Sequence, residues 1–260
     1  MTQHHGISLR SACQAVQLHR SVYHYQSKRS DDQELIVALQ NLVAKHPAIG
    51  FWSCYHRLRR QSHCWNHKRV YRVYCQLGLN IRRRAKKRLP ARIKQPLEQP
   101  TATNQSWSVD FMHDSLWNGR SFRLLNIIDD FNRQVLAVEV DTSLPALRVI
   151  RILEQLKEIR GLPKQLRVDN GPEFISTKLD EWCQQQGVQL CFIQPGKPTQ
   201  NAFIERFNGS LRRELLNAYV FENLNQVRKM VSEYTKDYNH HRPHKTLNYK
   251  TPIDLVHHIP

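Results

Sequence analysis

RVDNGPEF, residues 167–174, is the stretch on which the reading of this chain turns. The apolar-flanked run Leu166-Arg167-Val168 reaches Asp169 and stops at once in Asn170-Gly171-Pro172, with Glu173 directly behind it. Asp-Asn-Gly-Pro is good turn chemistry, so one reading is a strand-ending Asp that hydrogen-bonds its own turn. The other is an acid carried to the mouth of a cleft by the end of a buried strand, where it holds a metal. The stretch alone favours the first reading. The sequence around it decides between them.

On the N-terminal side, LPALRVIRILEQLKEIRG (144–161) has the period of an amphipathic helix, ended by Gly161. On the C-terminal side, STKLDEWCQQQG (176–187) reads as a second helix and VQLCFIQP (188–195) as a strand. Further upstream, SWSVDFMHD (106–114) alternates Trp107, Val109 and Phe111 with Ser108, Asp110 and Met112, so Asp110 faces away from the Trp/Val/Phe side. SFRLLNIIDDF (121–131) and QVLAVEVD (134–141) are β-rich runs joined by a tight Asn132-Arg133 turn. QNAFIERFNGSLRRELLNAY (200–219) and LNQVRKMVSEYTKDYNHH (224–241) close the chain as helices. The order β-β-β-α-β-α-β-α-α predicts an α/β fold, a mixed five-stranded sheet with flanking helices.

Three acids stand out against this frame. Asp110 lies inside the first strand, Asp169 ends the fourth, and Glu205 sits on the helix after the fifth, with thirty-five residues between it and Asp169. In that helix Ile204, Phe207, Leu211 and Leu215 form an apolar stripe, while Asn201, Glu205, Asn208 and Arg212 share the adjoining face. Glu205 therefore borders the buried stripe, a costly place for a carboxylate without a partner. Asp129 and Asp130 read as structural acids before a turn and Asp114 as a solvated strand end; Glu173, beside Asp169, is the runner-up metal ligand, its spacing to the turn favouring a cleft-lining or helix-starting role.

Charge divides the chain. Its formal net charge is +17, and residues 1–104 carry 19 Lys+Arg against 4 Asp+Glu, whereas residues 105–260 carry 20 against 18. A basic N-terminal module for a polyanion, joined to a nearly balanced acid-lined one, fits that distribution. The N-terminal third reads as short helices: 8–25 as helix, turn and helix; 31–46 with Leu35, Leu39, Leu42 and Val43 on one face; then FWSCYHRLRRQ and NHKRVYRVYCQLG. In the last, Asn66 is the expected cap, Val70, Val73 and Leu77 the buried stripe, and His67, Lys68, Arg69 and Arg72 the exposed face of a DNA-recognition helix. RRRAKKR (82–88) places Arg82, Arg83, Arg84, Lys86, Lys87 and Arg88 where phosphates would lie. The expected organisation is a small all-α, helix-turn-helix-like DNA-binding region over 1–88, a proline-containing linker over 89–104, and the α/β region over 105–260.

Other classes fare poorly. No apolar run approaches the ~20 residues of a membrane helix, the first twenty residues lack the apolar core of a signal peptide, and the six cysteines form no CxxC pair. A cytoplasmic protein with reduced thiols is the expectation. Cys54, His56, His63, Cys64 and His67 cluster, but nine residues separate the cysteines and no paired zinc-ligand motif appears.

Taken together, Trp107-x-x-Asp110, DNGPEF, Asn201-x-x-x-Glu205-Arg-x-Asn208 and the tail YNHHRPHKTLNYKTP (238–252) closely resemble bacterial insertion-sequence transposases. More narrowly, they resemble the second-reading-frame (OrfB) proteins with a retroviral-integrase-like D,D(35)E core. The likeness covers nearly the whole chain, although Phe51-Trp52-Ser53-Cys54 departs from a more basic run in that family. The resemblance implies an RNase H-like fold in which Asp110, Asp169 and Glu205 bind two divalent ions, Mg²⁺ or Mn²⁺. It further implies cleavage and transfer of DNA strands, with terminal inverted repeats and target DNA as partners, a homo-oligomer on DNA, and an upstream-frame (OrfA) protein or fusion. Arg212 occupies the family's Lys/Arg position, suited to a phosphate. A DNA-binding regulator inactive without that fusion, and a structure-specific nuclease of the same fold, are the alternatives. The tail YNHHRPH either holds DNA or caps the core through Tyr238 and Pro243.

Overall fold

Strand-forming residues in β1 (Ser106–Ser115), β2 (Ser121–Asp129) and β3 (Val135–Asp141) build an antiparallel meander; the computed structural model describes residues 6–26, 31–81, 99–194 and 201–256. The β2–β3 turn needs a left-handed residue, and Arg133 supplies it at φ 63°. β4 (Gln165–Val168) and β5 (Gln189–Phe192) then add in parallel beside β1, giving the order β3-β2-β1-β4-β5. Parallel neighbours need crossovers, and α6 (Ala146–Arg160) and α7 (Thr177–Gln186) provide them. Gly187, at φ 67°, ends α7 in the left-handed conformation that the turn into β5 demands.

Alternation along the strands creates two cores. Trp107, Val109, Leu125, Ile127, Leu166 and Val168 face α6 and α7 on one side. On the other, Met112, Leu124, Ile128 and Val140 face α8 (Ala202–Leu211) and α9 (Leu224–His240). The expected single helix over 200–219 is in fact α8 followed by a π turn, Arg212–Leu216. There the Asn217 amide donates to the Arg212 carbonyl at 2.8 Å, five residues back. One residue is thereby inserted while Leu211, Leu215 and Leu216 all stay buried, a local periodicity change that the sequence pattern does not reveal.

The helical region comprises α1 (Leu9–Ala15), α2 (Arg20–Tyr23), α3 (Gln33–Lys45), α4 (Phe51–Arg60) and α5 (His67–Gln76). Residues 1–37 form one compact unit and residues 38–260 another. Within the first, Cys13 of α1 is buried. Within the second, α4 is tied to the α/β elements by Arg57, whose two terminal nitrogens donate to the Asp237 carboxylate on α9, and by Arg60, which grips Asp254 in the same manner. Asn66 caps α5 by accepting from the Lys68 amide at 2.8 Å. Val70, Val73 and Tyr74 are buried, whereas Leu77, expected in that stripe, is the half-exposed C-terminal cap. Of the linker expected over 89–104, residues 99–104 are described, and the Asn104 side chain donates to the Arg160 carbonyl at 2.9 Å.

The tail packs. Tyr238 and Pro243 are buried, and the Tyr238 ring meets Phe207 edge-on at 5.0 Å. His244 Nε2 is shut off from solvent without a hydrogen-bond partner, and burial, helped by nearby Arg242, pushes the His244 pKa down to about 4. Because its folded pKa lies below the unfolded 6.5, the unfolded chain alone takes up the proton between those values. Stability should therefore be fully present above pH ~6.5 and fall toward pH ~4, by up to ~1.4 kcal/mol per pH unit. In urea titrations at pH 7 and pH 5, His244→Asn should reduce that loss by about one proton's share; an unchanged pH slope would refute it. His46 and His56, also lowered first by burial, add to that loss.

Candidate active site

Asp110 lies on β1 directly opposite Asn126 of β2, on the sheet face covered by α8. Asn126 is fully buried, and its amide donates to Asn208 Oδ1 at 2.7 Å; Asn208 in turn donates to Asp110 Oδ2 at 2.7 Å. This relay fixes one oxygen of Asp110 and couples strand to helix. The other oxygen accepts from the Phe111 amide at 2.9 Å. Burial pushes the Asp110 pKa up to about 6, and the carboxylates of Asp169 and Glu205 raise it further against those hydrogen bonds. Three acids from β1, the end of β4 and α8 therefore share one electrostatic environment. Glu205, in the first turn of α8, is itself raised by burial although its side chain reaches solvent.

Asp169 begins the turn that opened the sequence reading. Its Oδ1 accepts from the Gly171 amide at 2.9 Å, the bond that the turn-forming reading expects, and its charge also reaches Asp110. Gly171 is required by space rather than by φ: a Cβ there would lie 2.9 Å from Asp169 Oδ1 and 3.5 Å from Glu173 Oε2. Among the described residues no three His, Cys, Asp or Glu side chains are gathered tightly enough to form a metal shell as they stand. Asp169 turns one oxygen back to its own loop, and Asp110 takes a hydrogen bond from Asn208. The all-oxygen donor set suits a hard divalent cation, and positive charge would relieve the strain recorded in the raised Asp110 pKa.

The neighbouring acids have partners of their own. Glu173 is ion-paired with Arg123, which holds its carboxyl below the usual range, and Arg123 lies 4.3 Å over the Phe111 ring. Asp130 accepts from Ser106, Ser108 and Arg167, and Asp129 from the Asn104 amide and Arg160, so these two buried acids are structural. Asp114, expected to be solvated, is half-buried because Arg212 donates to its carboxylate and to the His113 carbonyl. Arg212 thus stands on the π turn beside β1, with its guanidinium held against that strand.

On α5, His67, Lys68 and Arg72 are exposed and Arg69 is half-buried. Arg82, Arg83, Arg84, Lys86, Lys87 and Arg88 lie outside the described residues. The Cys54 to His67 cluster does other work: Cys54 is fully buried with its thiol pushed up to about 12, His56 stacks on Tyr249 at 3.7 Å, and His63 stacks on Trp65 at 4.2 Å. Sequence reasoning passed over Asn126 and the bridging role of Asn208. An Asn in the middle of the apolar run LLNII was the available signal, since a buried amide needs partners.

Comparison with known proteins gives the family. Residues 100–198 and 186–252 each match an integrase core domain, and residues 30–88 match an HTH-like domain. An insertion element IS407 protein of Burkholderia multivorans is 42% identical over 252 residues, covering 96% of this chain and 91% of its own. An insertion element IS476 protein of Xanthomonas euvesicatoria is 37% identical over 257 residues, covering 98% of this chain and 74% of its own. A simian T-cell lymphotropic virus intasome chain aligns with a TM-score of 0.54 at 22% identity, over 85% of this chain and 75% of that one, a likeness of fold alone. The fold is RNase H-like, with a helical HTH-like region before it. Spanned almost end to end by insertion-element relatives and carrying an integrase core over most of its second half, the chain belongs to the insertion-sequence transposases of the second-reading-frame (OrfB) type.

Proposed function

We propose that this protein cleaves DNA at the ends of an insertion sequence and joins them to a target, using Asp110, Asp169 and Glu205 as ligands for two divalent cations. The observation that carries the reading is the integrase-core match over residues 100–198 and 186–252, supported by the Asn126–Asn208 relay that fixes Asp110 where the charges of Asp169 and Glu205 reach it. When bound, such a pair of cations would neutralise charge on the attacking and leaving oxygens of an in-line displacement at phosphorus. The chain's own residues prepare the place. Asn208, oriented by buried Asn126, holds Asp110 Oδ2 at one position, so its carboxylate is fixed before DNA arrives. Gly171 lets the Asp169 turn close without a Cβ against its carboxylate. Arg123 neutralises Glu173 at the rim, which leaves that acid out of the ligand set. Arg212 can exchange its hold on Asp114 for a phosphate of the strand, since carboxylate and phosphate present similar acceptor geometry to a guanidinium.

The helical region over 1–88, followed by a linker over 89–104, is proposed to hold DNA while residues 105–260 carry the chemistry. Terminal repeats and target DNA are the proposed partners, with further copies of the chain and an upstream-frame protein completing the active form. Assays of cleavage and joining on labelled terminal-repeat DNA in Mg²⁺, for the chain with and without the upstream-frame fusion, test this. DNA binding without cleavage in either form would favour a regulator. Cleavage without joining in both would favour a nuclease.

The basic segment has its own expected result. Neutralising Arg82, Arg83 and Arg84 together should flatten the dependence of log K on log[salt] by up to ~2–3 if each meets a phosphate. Anisotropy titrations from 50 to 300 mM salt would measure it. An unchanged slope would remove these residues from the DNA contact.

A further inference from the structure

We propose that the aromatic groove between α4 and α5 is a stacking site for unpaired DNA bases. The inference rests on the DNA-binding reading of the helical region and goes beyond it by naming the form of DNA that this surface takes. Trp52 on α4 and Tyr71 on α5 are 50% and 51% exposed, unusual for large aromatic side chains. Neither ring is loose. Phe51 lies between the two helices and supports both, with ring centroids 5.1 Å from Trp52 and 4.9 Å from Tyr71, and it is itself backed by buried Tyr74 at 5.6 Å. Rigid aromatic faces held open to solvent are already arranged for a flat ligand. The groove they line measures about 840 Å³, and its α5 wall adds Lys68 and His67. The His67 ring continues the platform, 6.0 Å from Trp52 and inclined by 27°.

Charge selects the occupant. The residues lining the groove include Lys68 and no Asp or Glu, and the stretch from residue 35 to residue 97, which supplies both helices, contains no acid. A polyanion is the complementary partner. A second copy docking groove to groove would set cation against cation. Base-paired DNA does not fit the chemistry as well, because a duplex hides its base faces in its own stack and offers edges and phosphates. Bases in a frayed or single-stranded segment have free π faces, and Trp52 and Tyr71 are the half-exposed rings that would receive them. Lys68 stands beside them to meet the phosphate between two such bases. The contact requires no hydrogen-bond code, so it should be tolerant of sequence.

The test uses the full chain and a labelled 20-base-pair duplex, blunt or carrying a five-nucleotide dT extension, in anisotropy titrations at one salt concentration. The extended duplex should bind ~10-fold more tightly than the blunt one. Trp52→Ala and Tyr71→Ala should each remove most of that preference while blunt-duplex affinity stays within ~2-fold, and Trp52→Phe should restore part of it. Circular dichroism and melting of each variant exclude misfolding, and the ring-retaining Phe variant keeps the test valid if an Ala variant unfolds. Equal binding of blunt and extended DNA by the wild type would overturn the inference while leaving DNA binding intact. A preference that survives both Ala substitutions would also overturn it. Failure to bind either duplex would instead strike the DNA-binding reading beneath it. Loss of self-association in sedimentation, with the preference unchanged, would assign the groove to a second copy and overturn the proposal.

Discussion

Glu205→Gln is expected to lower both cleavage and joining of terminal-repeat DNA by more than ~100-fold, beyond the loss typical of an outer-shell partner, while DNA affinity stays within ~2-fold. The substitution keeps the shape of the side chain and removes the charge proposed to hold a divalent ion. Folding should tolerate it, because burial already works against the ionised form of Glu205. Both reactions should fall together, since one site is proposed to serve both. Binding should survive because the basic excess lies in residues 1–104, at +15, against +2 for the remainder. Glu173→Gln is the paired control. Its carboxylate is engaged by Arg123 and should not be needed for the cation, so activity should stay within ~10-fold of the wild type. A readout independent of turnover completes the test: Mg²⁺ or Mn²⁺ should raise the melting temperature of the wild type more than that of Glu205→Gln. Cleavage by Glu205→Gln, or a dead Glu173→Gln, would transfer the third ligand to another acid.

Asp237→Asn should destabilise the protein by about 3–5 kcal/mol, the cost of stranding a buried charge. Arg57 is only 7% exposed, and both its terminal nitrogens are satisfied by Asp237, 180 residues away. Burial works against the Asp237 charge, yet the Arg57 guanidinium holds its carboxyl below the usual range. With the folded pKa depressed, this contribution is present above the unfolded value of 3.8 and is lost as pH falls through the lower folded one. An Arg57→Met, Asp237→Leu double variant should recover most of the loss, because no unpaired charge remains. Urea unfolding at pH 7 measures both. A loss below ~1 kcal/mol for Asp237→Asn would class the pair with surface ion pairs. The pair matters to function because it fastens α4, one wall of the aromatic groove, to α9 of the α/β region.

Much of this was legible along the chain because its causes are local. The alternation in SWSVDFMHD, the 3.6-residue stripes of LPALRVIRILEQLKEIRG and LNQVRKMVSEYTKDYNHH, the Asn66 cap and the Gly161 and Gly187 stops each depend on residues within a turn or two. These features determined the number and order of the sheet and core-helix elements and the faces on which Asp110 and Glu205 would lie. Their grouping with Asp169 came from resemblance to a family, since spacing in sequence does not by itself measure distance in space. Tertiary structure alone decided the rest. Asn208 reaches Asp110 only because β1, β2 and α8 pack in one register, and Asn126 in LLNII signals a need for a partner without naming which. Arg212 meets Asp114 from a π turn that helical periodicity does not foresee. Arg57 and Asp237 are each ordinary charges on amphipathic helices until a chain closure of 180 residues buries them together. Local propensities act over a few residues, whereas desolvation and ion pairing act between whichever residues the packed core brings into contact.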